Sequence, residues 1–63
     1  MRHSVITRTV MAVEVWPGTV LADGSVVAEV KYDGRTGRVH VTYANGYRQV
    51  YRDSHELEIR RNR

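Results

Sequence analysis

Gln49 and Tyr51 are the two side chains whose types and spacing best suit ligand binding in this sequence. They stand two residues apart in the β-rich run Tyr47 to Arg52, so in a strand they share one face. The Gln49 amide offers two donors and one acceptor, and Tyr51 adds an amphipathic ring with a hydroxyl. Because Val50 is the natural core residue between them, we predict that both point outward. The alternative is that Tyr51 covers a barrel or subunit edge and Gln49 is simply hydrated.

Other catalytic constellations find no particular support in the sequence. Glycines are scattered singly in turns, and acidic residues are spread along the chain, so neither a phosphate loop nor a carboxylate pair is expected. There are no cysteines, and the three histidines lack the spacing of zinc ligands. We therefore expect no metal, and any enzyme chemistry must rely on positioning ligands that supply their own reactivity.

The elements that position these residues are predicted to be strands, because apolar residues recur with period two. The predicted strands share this alternation and cover Val10 to Trp16, Val26 to Tyr32, Arg38 to Tyr43, Tyr47 to Arg52 and Glu56 to Ile59. The core is predicted from their inward apolar positions: Val13, Val15, Val26, Ala28, Val30, Val39, Val41, Val50, Leu57 and Ile59.

Turn residues separate the strands. Asn45-Gly46 predicts a hairpin with a type I′ turn, and Asp33 to Gly37 predicts a flexible turn. Asp53-Ser54 could cap a single 3₁₀ turn over His55 and Glu56. Five short strands with tight turns predict an all-β fold: a small five-stranded SH3-like barrel with one short 3₁₀ turn before the last strand.

Sixty-three residues are enough for one small domain. We predict a barrel over residues 9–60, a flexible N-terminal arm at 1–8 and a basic C-terminal tail at 61–63. A chain this short buries on folding only about 60% of the surface that its unfolded form exposes. We therefore expect oligomerisation to provide additional stability. No apolar run approaches the roughly 20 residues of a membrane span, and no signal peptide is visible. We expect a cytoplasmic protein without membrane contact.

The net charge of +3 comes from nine arginines and one lysine set against seven acidic residues. Such a balance favours anionic partners, among them nucleic acid, acidic proteins and phosphorylated small molecules. Part of it is concentrated near the ends of the chain, in Arg2, Arg8, Arg60, Arg61 and Arg63. These terminal arginines can serve solubility as readily as binding.

The segment Gln49-Val50-Tyr51, followed by Leu57-Glu58-Ile59, resembles the plasmid-type (type II, trimethoprim-insensitive) dihydrofolate reductases. These enzymes carry a Val-Gln-Ile-Tyr motif on the fourth strand of an SH3-like barrel, and four barrels surround one central pore. The resemblance implies an NADPH-dependent reductase that transfers hydride to dihydrofolate inside the pore of a homotetramer. It also implies trimethoprim resistance.

The same resemblance implies a role for each motif residue. Gln49 and Tyr51 are the expected catalytic residues, because they bind and orient both ligands. Together with the Val50 backbone they are the expected cofactor-binding and substrate-binding residues. Arg48 replaces the first valine of the family motif, and Val10 to Gly18 lacks the family's pore lysine. Arg8 or Arg48 is the candidate replacement cation.

A second interpretation is a small basic nucleic-acid-binding or protein-interaction module, since fold alone does not choose a function. Such barrels bind RNA, DNA or peptides across a strand face that combines aromatic and basic residues. The tyrosines and arginines of the predicted strands and turns that could do so are Tyr32, Tyr43, Tyr47, Tyr51, Arg35, Arg38, Arg48 and Arg52. A Tudor-like peptide reader is a third possibility, suggested by the run Val39 to Tyr43 leading into Gly46.

Overall fold

A computed structural model describes residues 6–61 of the chain. The strands are β1 Thr7–Met11, β2 Val27–Asp33, β3 Arg38–Tyr43, β4 Arg48–Arg52 and β5 Glu56–Arg60, and a 3₁₀ turn, Ala12–Glu14, follows β1. Within this part of the chain, no helix is long and apolar enough to cross a membrane.

The strands form two antiparallel sheets. β1 pairs with β5, while β2, β3 and β4 form a three-stranded sheet in that order. The segment before β2 connects them, because Leu21 bridges to Ile59 of β5 and Val20 bridges to Val26. The all-β prediction is confirmed. The two sheets are not closed, so the barrel stays a prediction.

One apolar cluster unites the two sheets. Its buried members are Val10, Ala12, Val15, Leu21, Val27, Val39, Val41, Tyr43 and Ile59, and the partly buried Val30, Tyr51 and Leu57 pack against it. Val15, Val39, Val41 and Ile59 are therefore core residues, as the alternation predicts. The polar side of β3, which carries Arg38, His40 and Thr42, faces away from the core.

Four predicted core residues are instead exposed: Val13, Val26, Ala28 and Val50. In β2 the cause is a β-bulge. Val27 pairs with Tyr43 but Glu29 pairs with Thr42, so Ala28 is an extra residue without a partner. The bulge shifts the alternation by one position, which brings Val27 rather than Val26 onto the inward face. Strict period two fails at this point of the strand.

The prediction for the first strand is also corrected. The strand over Val10 to Trp16 begins earlier, at Thr7, and ends at Met11. The Met11 N–H then donates to the Glu14 side chain (2.8 Å), and the chain turns through Ala12–Glu14. This 3₁₀ turn, rather than a continued strand, exposes Val13.

The single 3₁₀ turn therefore follows the first strand instead of preceding the last one. At the predicted position the chain makes a hydrogen-bonded turn over Asp53 and Ser54, in which the His55 N–H donates to the Arg52 carbonyl (3.0 Å). Glu56 already belongs to β5. The turn is present, but it is too short to become helical.

The predicted arm and tail overlap with the fold. Thr7 and Arg8 lie in β1, and the Arg61 N–H donates to the Ile6 carbonyl (2.8 Å). Strand pairing therefore extends beyond the predicted limits of the domain at 9 and 60. The remainder of the arm, residues 1–5, and of the tail, residues 62 and 63, lies outside the described residues.

The hairpin predicted at Asn45-Gly46 is present between β3 and β4. Its loop has three residues, because the Tyr43 N–H donates to the Tyr47 carbonyl (2.7 Å) and the Gly46 N–H donates to the Tyr43 carbonyl (2.8 Å). Gly46 has φ of +91°, whereas Asn45 does not have a positive φ. This combination is typical of a type I turn that ends in a glycine bulge. The predicted type I′ turn is wrong.

Candidate functional site

The loop of the β3–β4 hairpin fixes which side chains of β4 face the core. A two-residue turn would place Val50 inward, and one additional loop residue moves every side chain of the strand to the other face. Val41 pairs with Gln49, and Val39 pairs with Tyr51. Gln49 and Tyr51 are half-buried on the core side, whereas Val50 is 43% exposed. The predicted outward orientation of Gln49 and Tyr51 is wrong.

Tyr51 is integrated into the packing of the chain. Its hydroxyl lies 2.7 Å from the hydroxyl of the buried Tyr43, and its ring stacks on His55 with 5.0 Å between the centroids. Burial, followed by the hydrogen bond with Tyr51, raises the pKa of Tyr43 well above its ordinary value. The Tyr51 hydroxyl therefore already has a partner, and a ligand would have to compete for it.

Gln49 is held less completely. Its Oε1 accepts a hydrogen bond from the Tyr47 hydroxyl (3.0 Å), and the Tyr47 ring stacks on Tyr43. This bond leaves the amide NH₂ as the group with which Gln49 can bind a ligand. Gln49 and Val50 both line a groove on the sheet, so two of the three motif residues border a cavity.

Most of the groove lies on the outer face, defined as the side of the β2–β3–β4 sheet that points away from the core. Gln49 and Tyr32, which by register belong to the core side, also line it. Register places three cross-strand rows on it: Glu29–Thr42–Arg48, Lys31–His40–Val50 and Asp33–Arg38–Arg52. Directly opposed residues on neighbouring strands lie close enough to contact the same ligand. The outer face is thus a continuous surface of nine side chains from three strands.

Cations outnumber carboxylates on the outer face. Four side chains are basic (Lys31, Arg38, Arg48 and Arg52), and two are acidic (Glu29 and Asp33). The Asp33 carboxylate also accepts the backbone N–H of Arg35 (3.0 Å), which ties it to the β2–β3 turn. Arg35 lines the same groove, whose volume is about 770 Å³. The surface can therefore attract an extended anion.

The two candidate replacement cations separate in the structure. Arg48 lies on the outer face beside Gln49, and Arg8 lines a different groove together with Trp16. Trp16 is 52% exposed, and it is not one of the site residues predicted from the sequence. The signal that could have found it is a lone tryptophan before Pro17-Gly18, since a proline-glycine turn tends to present its neighbours at the surface.

The four tyrosines of the nucleic-acid-binding interpretation differ in how far they are exposed. Tyr43 is buried, Tyr51 is half-buried, and Tyr32 and Tyr47 are more than half exposed.

Among the residues described, no group of three histidine, cysteine, aspartate or glutamate side chains could hold a metal ion. We found no match to this chain among protein-family models, curated proteins or solved structures.

Proposed function

We propose that the chain binds single-stranded nucleic acid across the outer face of its three-stranded sheet. The observation that carries this proposal is the alignment of Lys31, Arg38, Arg48 and Arg52 on one side of one sheet. Lys31 and Arg48 line the groove on this side, and Arg38 and Arg52 oppose each other in an adjacent row. Cations that neutralise phosphates release condensed counterions, and this release drives sequence-independent binding. This alignment supports the second interpretation of the sequence.

The dimensions of the sheet suit a flexible strand. Neighbouring strands lie about 4.8 Å apart and each residue advances about 3.3 Å, so Arg48 and Arg52 are separated by about 13 Å along β4. Lys31 and Arg38 extend the positive surface across the other two strands. A duplex is read by an element that enters its groove, whereas a concave basic face can follow the backbone of a single strand.

Salt dependence of binding tests this function. Affinity for a short labelled single-stranded oligonucleotide, measured by fluorescence anisotropy, should fall with salt along a slope of about −3 if four phosphates are engaged. Arg48→Gln should reduce the slope by about 0.7, because one phosphate contact is lost. Arg60→Gln is the matched control, since this arginine lies on β5 and its Nη2 is directed at the Ala22 carbonyl (3.4 Å).

Two results would contradict the proposal. One is an affinity that does not change with salt. The other is an Arg60→Gln variant that loses as much affinity as Arg48→Gln, because binding would then not be specific to the outer face. A strongly acidic peptide that competes at equal concentration of charge would assign the face to a protein partner instead.

A type II-like dihydrofolate reductase is the second candidate, supported by the position of Gln49 and Val50 at the groove. It requires closed SH3-like barrels in a homotetramer, with four grooves around one pore. The donor set suits NADPH in part: the Gln49 amide NH₂ can meet a carboxamide, and Arg48 can meet a phosphate. The Tyr51 hydroxyl is engaged with Tyr43, so its role as an orienting group requires this pair to open.

The reductase is tested by following NADPH absorbance with dihydrofolate in the presence of trimethoprim. Turnover that is lost in Gln49→Ala, together with a tetramer in sedimentation, would support it. A monomer at micromolar concentration or the absence of turnover would remove it. Neither outcome affects the anisotropy test, so the two candidates are judged separately.

A further inference from the structure

We infer that a second groove, around Trp16, binds one base of the strand whose backbone lies on the outer face. This inference rests on the proposed function and locates the base contact within it. The Trp16 groove has a volume of about 240 Å³ and is lined by Arg8, Trp16, Thr19, Val20, Ile59 and Arg61, among others. These residues come from β1, from β5 and the residue after it, and from the loop that precedes β2.

The backbone holds the Trp16 ring at the surface. Thr19 is buried. Its hydroxyl accepts a hydrogen bond from the backbone N–H of Trp16 and donates one to the backbone carbonyl of Trp16. Gly18 has φ of +97°, and its N–H donates to the Val27 carbonyl (2.8 Å). The ring is nevertheless 52% exposed. A large aromatic side chain on a fixed loop offers a stacking platform that needs little ordering when a ligand binds.

Two arginines frame this ring. Arg8 lies opposite Ile59 in the register of β1 and β5, and Arg61 is anchored through its backbone N–H on the Ile6 carbonyl (2.8 Å). Arg60 also borders the groove, but its guanidinium is directed at the Ala22 carbonyl. Arg8 and Arg61 are therefore the cations available beside the tryptophan.

An aromatic ring beside guanidinium groups fits a nucleotide, because the base stacks on the ring and the phosphate meets the cations. An uncharged aromatic ligand would not use the arginines, and an acidic peptide would not use the ring. In the three cross-strand rows of the outer face the only ring is the imidazole of His40, and the exposed Tyr32 lines the groove beside them. The outer face thus supplies mainly phosphate contacts, and the Trp16 groove adds a stacking platform that is flanked by cations.

Tryptophan fluorescence tests the inference directly, because Trp16 is the only tryptophan in the chain. A base-containing oligonucleotide should quench its emission, while an abasic sugar-phosphate strand of equal length should bind without quenching. Trp16→Leu should weaken binding of the base-containing strand by about 5- to 160-fold, the range expected for one stacked base, and leave the abasic strand unaffected. The affinity of Trp16→Phe for the base-containing strand should lie between those of the unchanged protein and Trp16→Leu.

Arginine variants provide a test that does not alter the ring. Arg8→Gln with Arg61→Gln should reduce the quenching at a fixed oligonucleotide concentration, and unchanged quenching in this double variant would overturn the Trp16 site. Circular dichroism establishes that each variant is folded. If Trp16→Leu proves unfolded, these arginine variants decide the matter alone.

The outcomes separate this inference from the proposed function. Binding that weakens in Arg48→Gln, without quenching and without an effect of Trp16→Leu, overturns the Trp16 site and leaves the outer face in place. The double variant Arg48→Gln with Arg52→Gln tests the opposite case. If it leaves both the quenching and the affinity unchanged, the Trp16 site is supported and binding at the outer face is overturned. Equal quenching by a free mononucleotide at the same concentration overturns the assignment to a strand.

Discussion

The hydroxyl groups of Tyr43 and Tyr51 lie 2.7 Å apart, joining β3 to β4 at the border of the core. This contact makes Tyr51 part of the structure before any ligand is considered. Tyr51→Phe should lower the free energy of unfolding by about 1 kcal/mol, the usual net contribution of one hydrogen bond. Urea denaturation measures the change, and oligonucleotide affinity should stay the same.

Tyr32→Phe is the matched control for that variant, because the Tyr32 hydroxyl lies 3.5 Å from Asp53 Oδ2 in an exposed position. Its effect should stay within about 0.5 kcal/mol, as for most surface substitutions. A Tyr51→Phe protein of full stability but weakened ligand binding would instead favour the ligand-orienting role that the family resemblance implies.

Alkaline pH should destabilise the fold through Tyr43. Burial, followed by the hydrogen bond with Tyr51, raises the pKa of Tyr43 in the folded state, so above about pH 10 the unfolded chain loses this proton first. The stabilising contribution is complete below pH 10 and declines as pH rises toward the folded-state pKa. Urea denaturation across this range should show the decline. Tyr43→Phe should remove most of this dependence of the free energy of unfolding on pH. An equally steep dependence in the variant would show that other groups cause the decline.

Two valines on adjacent strands test the orientation of β4. Val41 is 1% exposed and Val50 is 43% exposed, although both lie mid-strand in the same sheet. Val41→Ala should lower the free energy of unfolding by about 2 kcal/mol, because buried methyl groups are lost and a cavity remains. Val50→Ala should cost less than about 0.5 kcal/mol. The reverse order in denaturation experiments would restore the orientation with Val50 in the core.

Gly46 tests the geometry of the three-residue loop. Its φ is +91°, and a Cβ added there would meet no atom within 4 Å, so Gly46→Ala has a purely conformational cost of about 1–2 kcal/mol. Gly34→Ala is the control, because Gly34 does not have a positive φ and its added Cβ would make ordinary contact with the Tyr32 ring (3.7 Å). Equal stability losses would argue against the glycine bulge.

The sequence predicts the positions of the last four strands well, because alternation, as in Arg38 to Tyr43, and the Asn45-Gly46 turn are local signals. The first strand is the exception, since it ends at Met11 and a 3₁₀ turn follows. The sequence does not predict which side of β4 faces inward. Asn-Gly is compatible with both a two-residue turn and a three-residue loop, and the choice reverses the faces of Gln49 and Val50. The bulge at Ala28 is similar, since no residue type marks it and the pairing of β2 with β3 alone reveals it.

For the same reasons, only part of the candidate site could be predicted from the sequence. The polar face of β3 was predictable, so His40 and Thr42 were expected to face away from the core. Arg48 and Arg52 join that face only because the loop places them there. The Trp16 groove was not predictable, because it brings together β1, β5 and the loop that contains Thr19.

The central claim is that the outer face holds the nucleic-acid strand, and an NMR titration tests it most directly. Adding a single-stranded oligonucleotide to labelled protein should shift the amide signals of His40 and Arg48 and the methyl signals of Thr42 and Val50. The amide signal of Glu56, which lies on β5, should stay unchanged. Raising the salt concentration should reverse the shifts. Shifts confined to β1 and β5, or none at concentrations where anisotropy reports binding, would contradict the account.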